Sequence, residues 1–205
     1  MMRISSKHAV FATAIFFGLS FTSSAQEVKH AAGARKNKAG GVSAAHGTVA
    51  DGANGGKAAR GAGLATNGQG GAVRAHGSAV EGPNGGKAAR GAYTAKDGQG
   101  NVQHGSGGAF KGPNGAQGYR KGQTNVNADG SASHSGSSAT SGKNGSATNS
   151  NSITKSPDGQ VNGQSTTTLT GKNGNSETIT KTDTNGQVTK TKTCKDASGN
   201  SVACK

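Results

Sequence analysis

The tetrapeptide Gly-x-Asn-Gly recurs through this chain almost in register. It stands at Gly52-Ala53-Asn54-Gly55, Gly82-Pro83-Asn84-Gly85, Gly112-Pro113-Asn114-Gly115, Gly142-Lys143-Asn144-Gly145 and Gly171-Lys172-Asn173-Gly174, at steps of 30, 30, 30 and 29 residues. A repeat of this length specifies an array of small units stacked on their neighbours, not one globular core.

Each unit carries a second turn signal: Asn67-Gly68-Gln69, Asp97-Gly98-Gln99, Asp129-Gly130-Ser131, Asp158-Gly159-Gln160 and Asn185-Gly186-Gln187. Asn-Gly and Asp-Gly favour two-residue hairpin turns in which both central residues take positive φ. Between the signals there is room for one strand of about 8 to 10 residues. The expected fold class is an all-β repeat array, either an antiparallel meander or a β-solenoid, with substantial disorder.

Large apolar side chains are too few for a conventional core. Four of the five Phe lie before residue 26, leaving Phe110, Tyr93 and Tyr119 as the only later aromatics. Burying a Val or Leu gains roughly 1.5–3 kcal/mol, while ordering each residue costs roughly 1–2 kcal/mol of backbone entropy. Glycine, at 37 of 205 residues, raises that cost. Low hydrophobicity, high Gly and Ser, and net charge also describe a disordered chain, so an ordered sheet and a largely disordered monomer both stay open.

Residues 1–25 have the pattern of a signal peptide. Arg3 and Lys7 precede an apolar run from Val10 to Leu19, and Ser23-Ser24-Ala25 offers a cleavage site before Gln26. That run is shorter than a membrane span of roughly 20 residues. The expected localisation is secreted: extracellular, cell surface or periplasm. Composition divides the remainder into a basic flexible arm at 26–45, Gly/Ala/Lys/Arg-rich repeats at 46–133, and Ser/Thr/Asn-rich repeats at 134–205. Threonine alternation, as in Glu177–Thr182 and Val188–Thr193, makes the last part the best strand former.

Cys194 and Cys204 are the only cysteines. Turning around Ser198-Gly199-Asn200, they would face each other as a disulfide on a terminal hairpin. A redox-active pair would need closer spacing.

The formal charge is +14 and spread along the repeats. Lys57, Arg60, Lys87, Arg90, Arg120 and Lys121 form a recurring basic strip suited to anionic partners: polysaccharide, lipopolysaccharide or DNA. The run Asn-Gly-Gly-Lys-Ala-Ala-Arg does not make a phosphate-binding loop, because the glycine spacing is short and Ala88 follows Lys87. With only Tyr93 and Tyr119 to stack on bases, a dedicated single-strand binder is disfavoured. His46, His76, His104 and His134 recur with the repeat and are weak metal candidates, without nearby Cys or tight His-x-x-x-His spacing, so no metal or other cofactor is expected. Asp51, Glu81, Asp97, Asp129 and Asp158 adjoin turn glycines, where Asp has a conformational job, and no nucleophile, base and orienting group converge. The expectation is that the protein is not an enzyme.

The Gly-Pro-Asn-Gly-Gly-Lys-x-x-Arg units with interleaved Asp-Gly-Gln turns resemble small exported repeat proteins of Gram-negative bacteria. In composition alone the chain is loosely similar to curli-type biofilm amyloid subunits, although their specific repeat motifs are not matched. The second resemblance implies fibre formation and carries over no site residues. The functional expectation is a self-associating structural repeat protein of the extracellular matrix or cell surface. The alternative is a disordered cationic binder of anionic polymers. A third reading, ice or mineral binding by Thr rows in 164–193, is weakened by lysines that break the rows.

Overall fold

The computed structural model describes residues 27–204. Among these described residues thirteen strands follow one another without a helix. They are β1 (Glu27–Lys36), β2 (Val42–Asp51), β3 (Lys57–Thr66), β4 (Ala72–Glu81), β5 (Lys87–Lys96), β6 (Val102–Lys111) and β7 (Gln117–Val126). The second half comprises β8 (Ala132–Gly142), β9 (Gly145–Lys155), β10 (Val161–Gly171), β11 (Ser176–Thr184), β12 (Gln187–Lys195) and β13 (Ser201–Val202). Each strand pairs with the next in sequence, giving one open antiparallel sheet in the order β1 to β13. This is the meander, and it excludes the solenoid. The 30-residue period is therefore one up-and-down hairpin: two strands and two corners.

The corners differ from the expected two-residue turns. Only Asn185-Gly186 has two central residues with positive φ, at 50° and 84°. Most connections are five-residue corners, as in Gly82-Pro83-Asn84-Gly85-Gly86. There Gly85 N–H donates to the Gly82 carbonyl at 3.0 Å, and Gly82 N–H donates to the Gly86 carbonyl at 2.7 Å. Pro83 presets the first turn position, and Gly85, at φ 76°, makes the left-handed step that returns the chain to the sheet. The Gly of Gly-x-Asn-Gly thus follows the turn and forms the bulge.

The segment 1–25, expected to be a signal peptide, lies outside the described residues. The segment 26–45, expected to be a flexible arm without a turn signal, instead forms β1, a corner and the start of β2 from residue 27 onward. Its corner is Asn37-Lys38-Ala39-Gly40-Gly41, one period before Asn67, and Asn37 Oδ1 accepts the N–H of Ala39 and Gly41 at 3.1 and 3.0 Å. Nor does the compositional change at 134 mark a boundary, since it falls inside β8. Gly-rich and Thr-rich strands are equally regular here, because the ladder uses main-chain groups that every non-proline residue has.

Among the described residues no apolar side chain is buried; Val80 is 52% exposed and Phe110 44%. The sheet is one layer thick. At its ends, β1 pairs only with β2, and β12 is covered on its outer side by β13 only at Cys194 and Lys195. Both edge strands carry cations: Lys29, Arg35 and Lys36 on β1, and Lys190, Lys192 and Lys195 on β12. Charged edges of this kind oppose the addition of further strands.

Cys194 and Cys204 are bonded, with Cα atoms 5.3 Å apart. The bond expected from the sequence is present, but the expected position directly opposite each other is not. Cys194 pairs with Val202, and Cys204 reaches back from beyond the end of β13.

Candidate functional site

Side chains alternate between the faces of a strand, and register partners share a face. From β1 to β8 the even-numbered residues lie on one face and the odd-numbered on the other. The two-residue connection Lys143-Asn144, joining Gly142 to its partner Gly145, shifts the numbering so that odd residues continue the first face in β9. The connection at Asn185-Gly186 shifts it back in β12.

This register divides the basic strip. Arg60, Arg90 and Arg120 share one face and one row. Across the sheet the row reads Thr48–Arg60–Ser78–Arg90–Gly108–Arg120–Ser138. Lys57, Lys87 and Lys121 lie on the opposite face, because each is an odd number of residues from its neighbouring arginine. The strip expected from the sequence is thus two separate sets of cations. The period-2 rule alone contained that signal.

The two faces also differ in compensation. Every acidic residue in β1–β8, namely Glu27, Asp51 and Glu81, lies on the lysine face. Glu27 pairs with Lys29 at 3.1 Å and Glu81 with Lys87 at 3.0 Å, while Lys57 stands between Asp51 and Glu81. The arginine face of β1–β8 carries Lys36, Arg60, Arg74, Arg90, Lys96 and Arg120 without a strand carboxylate. Arg60, Arg90 and Arg120 are all exposed. Arg90 Nε–H donates to Ser78 Oγ at 3.2 Å, steadying one guanidinium in the row. This uncompensated, ordered row is the strongest candidate site.

The lysine face has a different centre. Gly47, Gly61, Gly77, Gly91 and Gly107 form an unbroken row across β2–β6. Ala59, Ala79, Ala89 and Ala109 form the adjacent row. The surface there is nearly bare backbone, to which another sheet could approach closely.

The four candidate histidines, His46, His76, His104 and His134, lie on the arginine face but not in one row. His46 and His76 each oppose Ala62, whereas His104 and His134 each oppose Thr124 in the neighbouring row. His104 Nδ1 is hydrogen-bonded to Thr94 Oγ1 at 3.0 Å, and His134 Nδ1 to Thr124 Oγ1 at 2.8 Å. Among the described residues there is no group of three or more His, Cys, Asp or Glu able to hold a metal ion.

The Thr rows are less interrupted than the sequence suggested. Thr168–Thr178–Thr193 and Thr166–Thr180–Thr191 run side by side, while Lys181, Lys190 and Lys192 project from the opposite face. Adjacent strands nevertheless rotate by roughly 20–25° on average, which works against registry with a rigid crystal lattice.

The corner aspartates serve the fold. Asp97 Oδ1 accepts the N–H groups of Gln99 and Asn101, both at 2.9 Å. Hydrogen bonding from the Asn101 side chain is the largest cause holding the Asp97 carboxyl below its ordinary range. The Ser131 hydroxyl does the same for Asp129, the Ser156 hydroxyl for Asp158, and the Asn200 amide for Asp196.

Comparison with protein-family models, with curated proteins and with solved structures gives no match.

Proposed function

We propose that this protein is a secreted structural repeat protein of the extracellular matrix or cell surface, acting as a plate that associates with copies of itself. The observation that carries the reading is the absence of any buried apolar side chain among the described residues of a thirteen-strand sheet. Stable domains bury a sheet face against a second layer, and the glycine–alanine rows offer the closest approach for one. The charged edge strands direct association to the faces. The export pattern of residues 1–25 and the resemblance to exported bacterial repeat proteins support the proposed location. The test is the chain lacking residues 1–25, studied dilute and concentrated by far-ultraviolet circular dichroism, sedimentation and electron microscopy. A β spectrum with concentration-dependent layered particles is expected; a coil spectrum and a monomer at high concentration would sink the proposal.

A second reading, binding of anionic polymers such as polysaccharide, lipopolysaccharide or extracellular DNA, is favoured by the carboxylate-free arginine face of β1–β8. Its test is retention on heparin at low salt, with elution as salt rises.

A further inference from the structure

We infer that the arginine row is a binding track for a linear acidic polysaccharide bearing one anionic group per disaccharide. This rests on the polyanion reading and narrows it.

The reasoning begins with spacing. Arg60, Arg90 and Arg120 stand on every second strand, so their Cα positions are about 9.5 Å apart along the row. Ser78 stands between Arg60 and Arg90 and Gly108 between Arg90 and Arg120, while Thr48 and Ser138 flank the row on β2 and β8. The track therefore sets three cations on alternate strands, with one hydroxyl between the first two and one at each end. An extended glycan of alternating acidic and neutral sugars repeats over nearly the same distance. Its carboxylates or sulfates meet the arginines, and the hydroxyl of the neutral sugar between the first two meets Ser78. Arginine suits this role because its fork of donors binds a carboxylate in a bidentate way.

Nucleic acid fits less well. Each strand presents a phosphate about every 3.4 Å of helix axis, so most phosphates would fall between arginines. Stacking on successive bases needs several aromatic rings. Tyr93 and Tyr119 are on the lysine face, and only Phe110 shares the arginine face. Sheet twist turns the row progressively; a jointed polymer follows such a path, but a rigid duplex does not.

The experiment compares two variants of equal charge loss. One is Arg60→Ser with Arg90→Ser and Arg120→Ser; the other is Lys57→Ser with Lys87→Ser and Lys121→Ser. Binding at low salt is measured to hyaluronan, with one carboxylate per disaccharide, to polygalacturonate, with one per sugar, and to duplex DNA. Circular dichroism checks that both variants keep the sheet. Single variants Arg90→Ser and Lys87→Ser repeat the comparison should a triple variant lose it. Affinity for hyaluronan is expected to fall roughly tenfold in the arginine variant, as the loss of three exposed contacts implies, and to change little in the lysine variant. Polygalacturonate and DNA are expected to respond alike to both variants. Equal weakening of hyaluronan by both variants overturns the track, as does an arginine-specific loss of the same size for all three polymers, yet either leaves the polyanion reading standing. Failure to bind any of the three polymers removes that reading as well.

Discussion

Asn67 and Asp97 occupy the same corner one period apart and make the same pair of bonds. Asn67 Oδ1 accepts the N–H of Gln69 and Gly71 at 2.9 and 2.8 Å; Asp97 Oδ1 accepts the N–H of Gln99 and Asn101, both at 2.9 Å. An amide therefore does structurally what the carboxylate does, but only the carboxylate titrates. Because the folded-state pKa of Asp97 is depressed, its stabilising contribution is present above the unfolded value near 3.8 and is lost as pH falls through the lower folded value. Asp129, Asp158 and Asp196 act in the same direction. These corners should loosen in acid below about pH 4, while those at Asn37 and Asn67 hold. Hydrogen exchange of the corner amides against pH checks this, and Asp97→Asn should abolish the acid sensitivity at its own corner.

Two glycines near the first corner should respond oppositely to alanine. A Cβ at Gly41 would stand 2.0 Å from the Thr66 carbonyl oxygen, whereas one at Gly33 meets nothing within 4 Å. Gly41→Ala must push the end of β3 away or distort its own corner, at a cost of about 1–3 kcal/mol. Gly33→Ala is expected to be neutral or to stabilise by up to about 1 kcal/mol through the unfolded chain. In an array each unit depends mainly on its neighbours, so the effect should be local. Amide protection across β1–β3, compared with β9–β11, measures it.

Reducing the Cys194–Cys204 bond should release β13 and little else. That strand has two residues and pairs only with Cys194 and Lys195. A closed loop this short contributes somewhat less than about 3 kcal/mol. With both cysteines changed to serine, amide protection of Val202 should vanish while β10 and β11 keep theirs. Loss of protection throughout the sheet would contradict the local role.

The proposed association through the lysine face makes a face-specific prediction. Ala79→Lys with Ala89→Lys places two new cations in the alanine row and should hold the protein as single plates in sedimentation. Ala62→Lys with Ala92→Lys adds the same charge to the arginine face and should leave association nearly unchanged. An equal effect of both pairs would show that net charge, not a particular face, governs assembly.

Strand and corner positions were legible because the period, combined with turn-forming residues, left one strand of about ten residues in each interval. The first corner was less legible although Asn37 stands a full period before Asn67, because an Ala- and Lys-rich stretch has low intrinsic strand preference. Its strand forms on the ladder that β2 offers. Turn type was misjudged for a related reason: Asn84-Gly85 belongs to a five-residue corner set by Pro83 as well as by the dipeptide. The basic strip was legible as composition but not as a surface, since Lys57 and Arg60 are close in sequence and point to opposite sides. The acid-free character of one face emerged only when Glu27, Asp51 and Glu81 were aligned by register.

The lysines on β1 and β12 bear on how large an object this chain can build. Each 30-residue unit contributes two strands, or about 10 Å of breadth, and the guarded margins discourage neighbours from extending it sideways. Breadth is then a quantity written in the number of repeats. Duplicating or deleting one unit would yield a wider or narrower tile with the same corners, so a layered material made of such tiles would have a lateral grain set by gene length and a thickness set by supply.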